Sequence, residues 1–234
     1  MIGFAQAKHF PSQNYGVRRG VTAPDLIILH YTAMPDACAA LERLCSQEHE
    51  VSAHYLIACD GNVFQLVSED QRAWHAGKSF WRGEVDINSR SIGIELDNVG
   101  ANPFPISQMQ SLIRLCRDIQ QRWSIAPQAV LGHSDIAIGR KTDPGCRFDW
   151  AGLARFNIGV WPANAPLLSP ISEEAYLKSA SRIGYDVSLG LSPVLDAVRL
   201  HFSPSINGPL TAADCALMIS LEQAFFIDPP VKTA

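Results

Sequence analysis

Three features are missing from this 234-residue chain, and each absence removes a class of function. No apolar run approaches the ~20 residues that a helix needs to cross a bilayer. No cluster of basic residues occurs: 19 lysines and arginines are scattered among 23 acidic residues, for a formal net charge of −4, so the footprint of a nucleic-acid binder is absent. No two of the six cysteines form a C-x-x-C pair, and several fall inside apolar periodic segments. They therefore read as reduced, mostly buried thiols rather than a disulfide framework. The N-terminus, MIGFAQAKHFPSQNYG, has no basic segment leading into a long apolar one and no early cysteine to carry a lipid. Taken as written it implies a cytoplasmic protein, with the periplasm or outer membrane as the alternative if a leader was removed.

What is present is apolar and patterned. Hydrophobic residues make up 47% of the chain and charged residues 18%, which suits a globular protein with a substantial core. DLIILH (25–30) reads as a buried strand, residues 37–46 as a helix, and VSAHYLIA (51–58) with NVFQLV (62–67) as a hairpin across Asp60-Gly61. Residues 68–90 have no period and read as a long loop. SIGIEL (91–96) alternates, with Ile92, Ile94 and Leu96 on one face and Ser91, Gly93 and Glu95 on the other. Residues 107–123 form the clearest helix, with Ser107 as its cap and an apolar stripe at Met109, Leu112, Cys116, Ile119 and Trp123. AVLGH (129–133) is a short strand.

This order predicts an α/β domain over residues 1–162, a central mixed β-sheet flanked by helices. A proline-rich linker follows at 163–170. Residues 171–234 then carry three helical patterns: one capped at Ser172 and stopped by Gly184, one starting at Ser192-Pro193, and one behind a Thr211/Asp214 capping box. They read as a small three-helix domain.

The chemistry concentrates at strand ends. DLIILH and AVLGH each deliver a histidine at their C-terminal end, the edge where open α/β sheets bind ligands. His30, His133 and Asp143 together make a two-imidazole, one-carboxylate set suited to a catalytic zinc with a fourth position for water. The plainer reading is that such histidines are hydrogen-bonded structural residues. Glu95 is the candidate proton carrier, with Gly93 leaving room beside it for a substrate, or else an edge-strand carboxylate facing solvent. Lys141 is either a cation for a developing oxyanion or a solvated loop lysine. Trp74, His75, Trp81 and Arg82 either line a cleft or pin the loop to the core.

LHYTA (29–33), VSAHYLI (51–57), RAWHAG (72–77), DINSRSIGIELDN (86–98) and GHSDIAIGRKTDPG (132–145) resemble, in this order, the zinc-dependent N-acetylmuramoyl-L-alanine amidases. This is the family related to phage T7 lysozyme and the peptidoglycan recognition proteins. The resemblance implies His30, His133 and Asp143 as ligands of one Zn2+, Glu95 as catalytic acid/base and Lys141 as the oxyanion-stabilising residue. It marks Tyr31, Arg72, Trp74, His75, Trp81 and Asn88 as candidate substrate-binding residues. In the phage and recognition-protein branch a catalytic tyrosine stands where this chain has Ala53, so the acid/base role falls to Glu95. A ligand cysteine of that branch is replaced by Asp143. IGYDV (183–187), VRLHFSP (198–204) and NGPLTAAD (207–214) resemble a three-helix peptidoglycan-binding module, as in the outer-membrane lipoprotein branch.

The expected function is hydrolysis of the amide between N-acetylmuramic, or 1,6-anhydro-N-acetylmuramic, acid and L-alanine in cell-wall turnover or recycling. The expected partners are muropeptides, met by a monomer. The alternatives are a non-catalytic peptidoglycan-binding protein and a metal-dependent peptidase acting on the stem peptide.

Overall fold

The computed structural model describes residues 1–162 and 170–226. Of the expected linker, 163–169 lies outside the described residues, as do the last eight residues of the C-terminal region. The strands are β1 (Lys8–His9), β2 (Tyr15–Val17), β3 (Leu26–Tyr31), β4 (Tyr55–Ile57), β5 (Val63–Gln65), β6 (Gln71–Ala73), β7 (Ser91–Leu96) and β8 (Val130–Gly132). The helices are α1 (Ala37–Cys45), α2 (Ile87–Arg90), α3 (Ile106–Trp123), α4 (His133–Ile136), α5 (Trp150–Ala154), α6 (Glu173–Ile183), α7 (Leu191–Phe202) and α8 (Ala212–Phe226). None is long and apolar enough to cross a membrane.

Six strands form one mixed sheet in the order β1-β5-β4-β7-β3-β8. β4, β7, β3 and β8 run parallel, while the β4–β5 hairpin is antiparallel. Its turn is the expected Asp60-Gly61, where Gly61 has φ of 89°, a region that glycine enters freely. β7 lies between β4 and β3, so Glu95 is on a central strand and the edge-strand reading is excluded.

The alternation along β3 and β7 separates two cores. Ile27, Leu29, Ile92, Ile94 and Leu96 face α3, whose Leu112, Leu115, Cys116 and Ile119 cover them. Leu26, Ile28 and Leu131 point the opposite way. α3 is not capped by Ser107: its N-cap is Pro105, and the Ser107 hydroxyl donates to the Cys59 carbonyl at 2.8 Å. The proline already supplies the fixed backbone angle at the helix start, which leaves the serine free to tie α3 to the hairpin.

The loop at 68–90 has more structure than its composition implied. β6 pairs with β2, and Asp86 caps α2 by accepting from the Ser89 amide. The strand expected at 51–58 shrinks to three residues. Only Cys116 and Cys215 are buried, with Cys38, Cys59 and Cys146 exposed, which corrects the reading of mostly buried thiols; all six are free.

The three C-terminal helices appear as expected, with Ser172 accepting from the Ala175 amide and Thr211 and Asp214 forming the capping box. They do not stand apart from the sheet. Tyr176, Ile183, Tyr185, Val194, Val198, Met218, Leu221 and Phe225 share one apolar cluster with Leu26, Ile28, Trp81, Ile87 and Leu131. A buried polar knot fixes the same interface. Asp135 caps its turn, accepting from the Gly132 amide at 2.7 Å. It also accepts from Tyr185 Oη at 3.0 Å and from His201 Nδ1 at 2.8 Å, two partners that its neighbours in sequence could not reveal.

A shared core implies one unfolding event. Leu221 is fully buried, and Leu221→Ala is expected to cost about 2–5 kcal/mol of stability for the whole chain. Urea unfolding followed by tryptophan fluorescence and by far-ultraviolet circular dichroism should show a single shifted transition. Two transitions, only one of them moved, would mean that the helices unfold independently.

Candidate active site

Strand register brings the site together. β3 and β7 pair with His30 opposite Glu95, and β3 and β8 pair with Leu29 opposite Gly132, which leaves His133 beside His30. By the alternation of the sheet, His30, Gly93 and Glu95 share the face opposite α3. The chain after α4 folds back, since the amides of Arg140 and Lys141 both donate to the Ala137 carbonyl at 3.0 Å. The Ser134 amide then donates to the Asp143 carbonyl at 2.9 Å, which returns Asp143 to His133.

His30, His133 and Asp143 are all buried, and one ligand atom from each lies within 4.8 Å of the others. Both Nδ1 atoms face the same carboxylate oxygen: Asp143 Oδ2 is 2.8 Å from His30 and 3.0 Å from His133. The two Nδ1 atoms are themselves 3.0 Å apart. Two imidazole nitrogens and one carboxylate oxygen converging on one buried point form a donor set that fits a divalent transition metal. Burial, followed by the neighbouring His133, lowers the His30 pKa to about 4, so its ring is neutral and able to ligate at physiological pH. Burial alone would raise the Asp143 carboxyl, but its hydrogen bonds with His133 and His30 hold it below the ordinary range.

Glu95 stands in the same cleft with its Oε2 buried and without a hydrogen-bond partner. Burial first, then Asp143, pushes its carboxyl well above the usual value, and Lys141 opposes them. The cleft has a volume of about 430 Å3, and its walls include Tyr31, Trp74, His75, Glu95 and Lys141. Such a site has the parts for metal-assisted hydrolysis: a donor triad, a poised carboxyl and a nearby cation.

Residues 20–146, more than half of the chain, match the family described as N-acetylmuramoyl-L-alanine amidase. The chain belongs to this family. The N-acetylmuramoyl-L-alanine amidase AmiD of Escherichia coli K12 is 36% identical over 231 residues, covering 86% of this chain and 83% of that protein. The 1,6-anhydro-N-acetylmuramyl-L-alanine amidase AmpD of the same strain is 35% identical over 171 residues, 66% of this chain and 92% of AmpD. A solved structure of E. coli AmiD in complex with anhydro-N-acetylmuramic acid-L-Ala-D-γ-Glu-L-Lys superposes with a TM-score of 0.77 at 36% identity, covering 88% of this chain and 93% of that one.

The other candidates in this amidase divide by where the structure puts them. Tyr31 and Trp74 line the cleft, with the Tyr31 hydroxyl 3.1 Å from Thr142 Oγ1. Arg72 does not reach it: its guanidinium is paired with Asp86 at 2.8 Å and donates to Ser89 Oγ. Trp81 is only 3% exposed and packs edge-on against Tyr185, so it belongs to the core shared with the C-terminal helices. Arg82 donates to the Ile183 carbonyl at 2.8 Å across the same interface. Asn88 is buried behind the cleft, where its Oδ1 accepts from the amides of His75 and Ala76. The space at Gly93 is taken by the His75 ring and is not open to a substrate.

Arg43 and Arg140 also line the cleft, although the sequence singled out neither. Arg140 donates to the carbonyls of Ala76 and Lys78, each at 2.7 Å. Its place beside Lys141 was the only signal. Arg43 carried none, because nothing local shows that α1 packs beside the histidines.

The unpartnered carboxyl gives a pH-dependent expectation for the metal-free protein. A raised pKa in the folded chain means that the ionised form costs stability as pH climbs above 4.5, the unfolded value, towards the raised one. Glu95→Gln should therefore be more stable than wild type at pH 7. The gap should close below pH 4.5, where both states hold the proton. Urea unfolding of chelator-treated protein at the two pH values checks this. Equal stabilities at pH 7 would mean that Lys141 already neutralises the charge.

Proposed function

We propose that this amidase holds one zinc ion at His30, His133 and Asp143. We further propose that it hydrolyses the amide between N-acetylmuramic, or 1,6-anhydro-N-acetylmuramic, acid and the L-alanine of peptidoglycan fragments. The observation that carries this reading is the convergence of the three donor atoms in one cleft with Glu95, whose Oε2 is buried and without a hydrogen-bond partner. The names of AmiD and AmpD, and the anhydro-muramyl peptide seated in AmiD, supply the substrate class.

When bound, zinc would polarise the scissile carbonyl and acidify a water molecule. The remaining steps fall to side chains. Amide hydrolysis forms a carbon–oxygen bond and breaks a carbon–nitrogen bond, so one proton must leave the attacking water and one must reach the departing amine. Glu95 is placed to carry that proton, since its Oε2 has no competing partner. Its raised pKa suits a group that must both take and release a proton during the reaction. Lys141 extends from the exposed lip of the same cleft and would offset the negative charge developing on the carbonyl oxygen. Tyr31 and Trp74 provide wall surface for a sugar or peptide. A non-catalytic binding role is disfavoured because the donor triad and the carboxyl are all present in one cleft.

Mass analysis of muropeptides after incubation should reveal free stem peptide beginning at L-alanine. The release should disappear with a chelator and return with zinc. Cleavage within the peptide would replace the amidase reading with the peptidase one, and no cleavage would favour the binding protein. Glu95→Gln should keep its zinc and lose turnover by about 10²–10⁴-fold. Lys141→Ala should lose about 10²-fold in kcat. Loss of zinc from the Glu95 variant would show that its role is misassigned.

A further inference from the structure

An imidazole that ligates a metal through Nδ1 carries its proton on Nε2, and a fixed acceptor for that proton sets both tautomer and ring orientation. His133 Nε2 lies 3.0 Å from the Ala76 carbonyl oxygen. His30 Nε2 lies 3.0 Å from Nδ1 of His75. The two acceptors are consecutive residues. We propose that His75 is a positioning residue of the metal site, whose Nδ1 accepts the Nε2–H of His30 and holds that ring in its ligating form. Ala76 does the same for His133 through its carbonyl. The inference rests on the zinc reading above.

The hydrogen bonds run in one self-consistent direction. If His30 donates from Nε2, His75 must accept on Nδ1 and carry its own proton on Nε2. That proton points to Ser91 Oγ, 3.1 Å away. The Ser91 hydroxyl donates onward to the Ile87 carbonyl at 2.6 Å. The series ends on an atom that can only accept, which fixes every proton upstream of it.

The protein is built closely around this ring. Asn88 Oδ1 accepts from the amides of both His75 and Ala76, at 3.0 and 2.8 Å, so one side chain sets the height of both acceptors. The ring lies over Gly93, where any Cβ would come within 2.6 Å of His75 Cδ2. The Gly93 amide is held in turn by His54 Nδ1 at 3.0 Å. With both His75 nitrogens engaged by protein atoms, none is left for a substrate. That argues for positioning and against the substrate contact expected from the sequence.

The test uses the full chain loaded with zinc or cobalt. Nitrogen-15 imidazole spectra of the zinc-loaded wild type should show His30, His75 and His133 all protonated on Nε2. His75→Phe, which keeps a ring but offers no acceptor, should weaken zinc binding by about 10–100-fold in chelator competition. It should also alter the visible spectrum of the cobalt form. His75→Asn, which returns an acceptor oxygen, should recover most of the affinity. Wild-type affinity and an unchanged cobalt spectrum in the Phe variant would overturn the role of His75, as would a proton on its Nδ1 in the wild type. Should the Phe variant fail to fold, the wild-type tautomer decides alone. A wild type that binds no zinc would instead overturn the metal reading itself.

Discussion

The parallel pairing of β3 with β7 on one side and β8 on the other is the constraint from which the site follows. With Ile28 opposite both Gly93 and Leu131, His30 falls opposite Glu95 and next to the start of α4 at His133. A slip of one residue in either pairing would send the histidine or the carboxylate to the face covered by α3, away from the cleft. Both faces of these strands are buried, so apolar side chains on each side resist that slip. The positions of the reactive groups are therefore set by burial of residues that take no part in the chemistry.

Bringing two imidazoles and two carboxyls together away from water is costly unless each is neutral, paired or held by a cation. The chain meets this cost unevenly. His30 is driven towards the neutral form, Asp143 is held ionised by its two histidine partners, and Glu95 is left without a partner for Oε2. That unevenness gives each group a different protonation tendency, as a metal hydrolase with one ligand carboxylate and one proton-carrying carboxyl requires. The C-terminal helices contribute from behind. Tyr185 and His201 close on Asp135, within the same short helix as His133, and His201 is stacked between Trp150 and Phe202.

Much of this was legible in the sequence. The strands of LIILHY and SIGIEL, the helix ending at Trp123 and the three C-terminal helices follow from apolar spacing and capping residues, because those signals act over a few neighbours. The set His30, Glu95, Lys141 and Asp143 was legible through motif and strand ends, and the cleft does gather these residues. Arg72, Trp81 and Asn88 could not be sorted in that way. Each lies in a segment without periodicity, and whether such a side chain faces a cleft, a carboxylate or a distant helix depends on what folds against it.

Local pattern in the chain determines its elements, the α/β class and the identities of the reactive groups, since each is encoded in spacing, capping or residue chemistry. Tertiary structure decides which groups are neighbours. Only packing shows that His75 fills the space above Gly93, that Asp135 joins α4 to the C-terminal helices, and that those helices share a core with the sheet. The physical reason is range. Backbone preference and capping act within a turn or two, whereas burial and hydrogen-bond partnership join residues tens of positions apart, such as Asp135 with His201, and exist only once the chain has closed on itself.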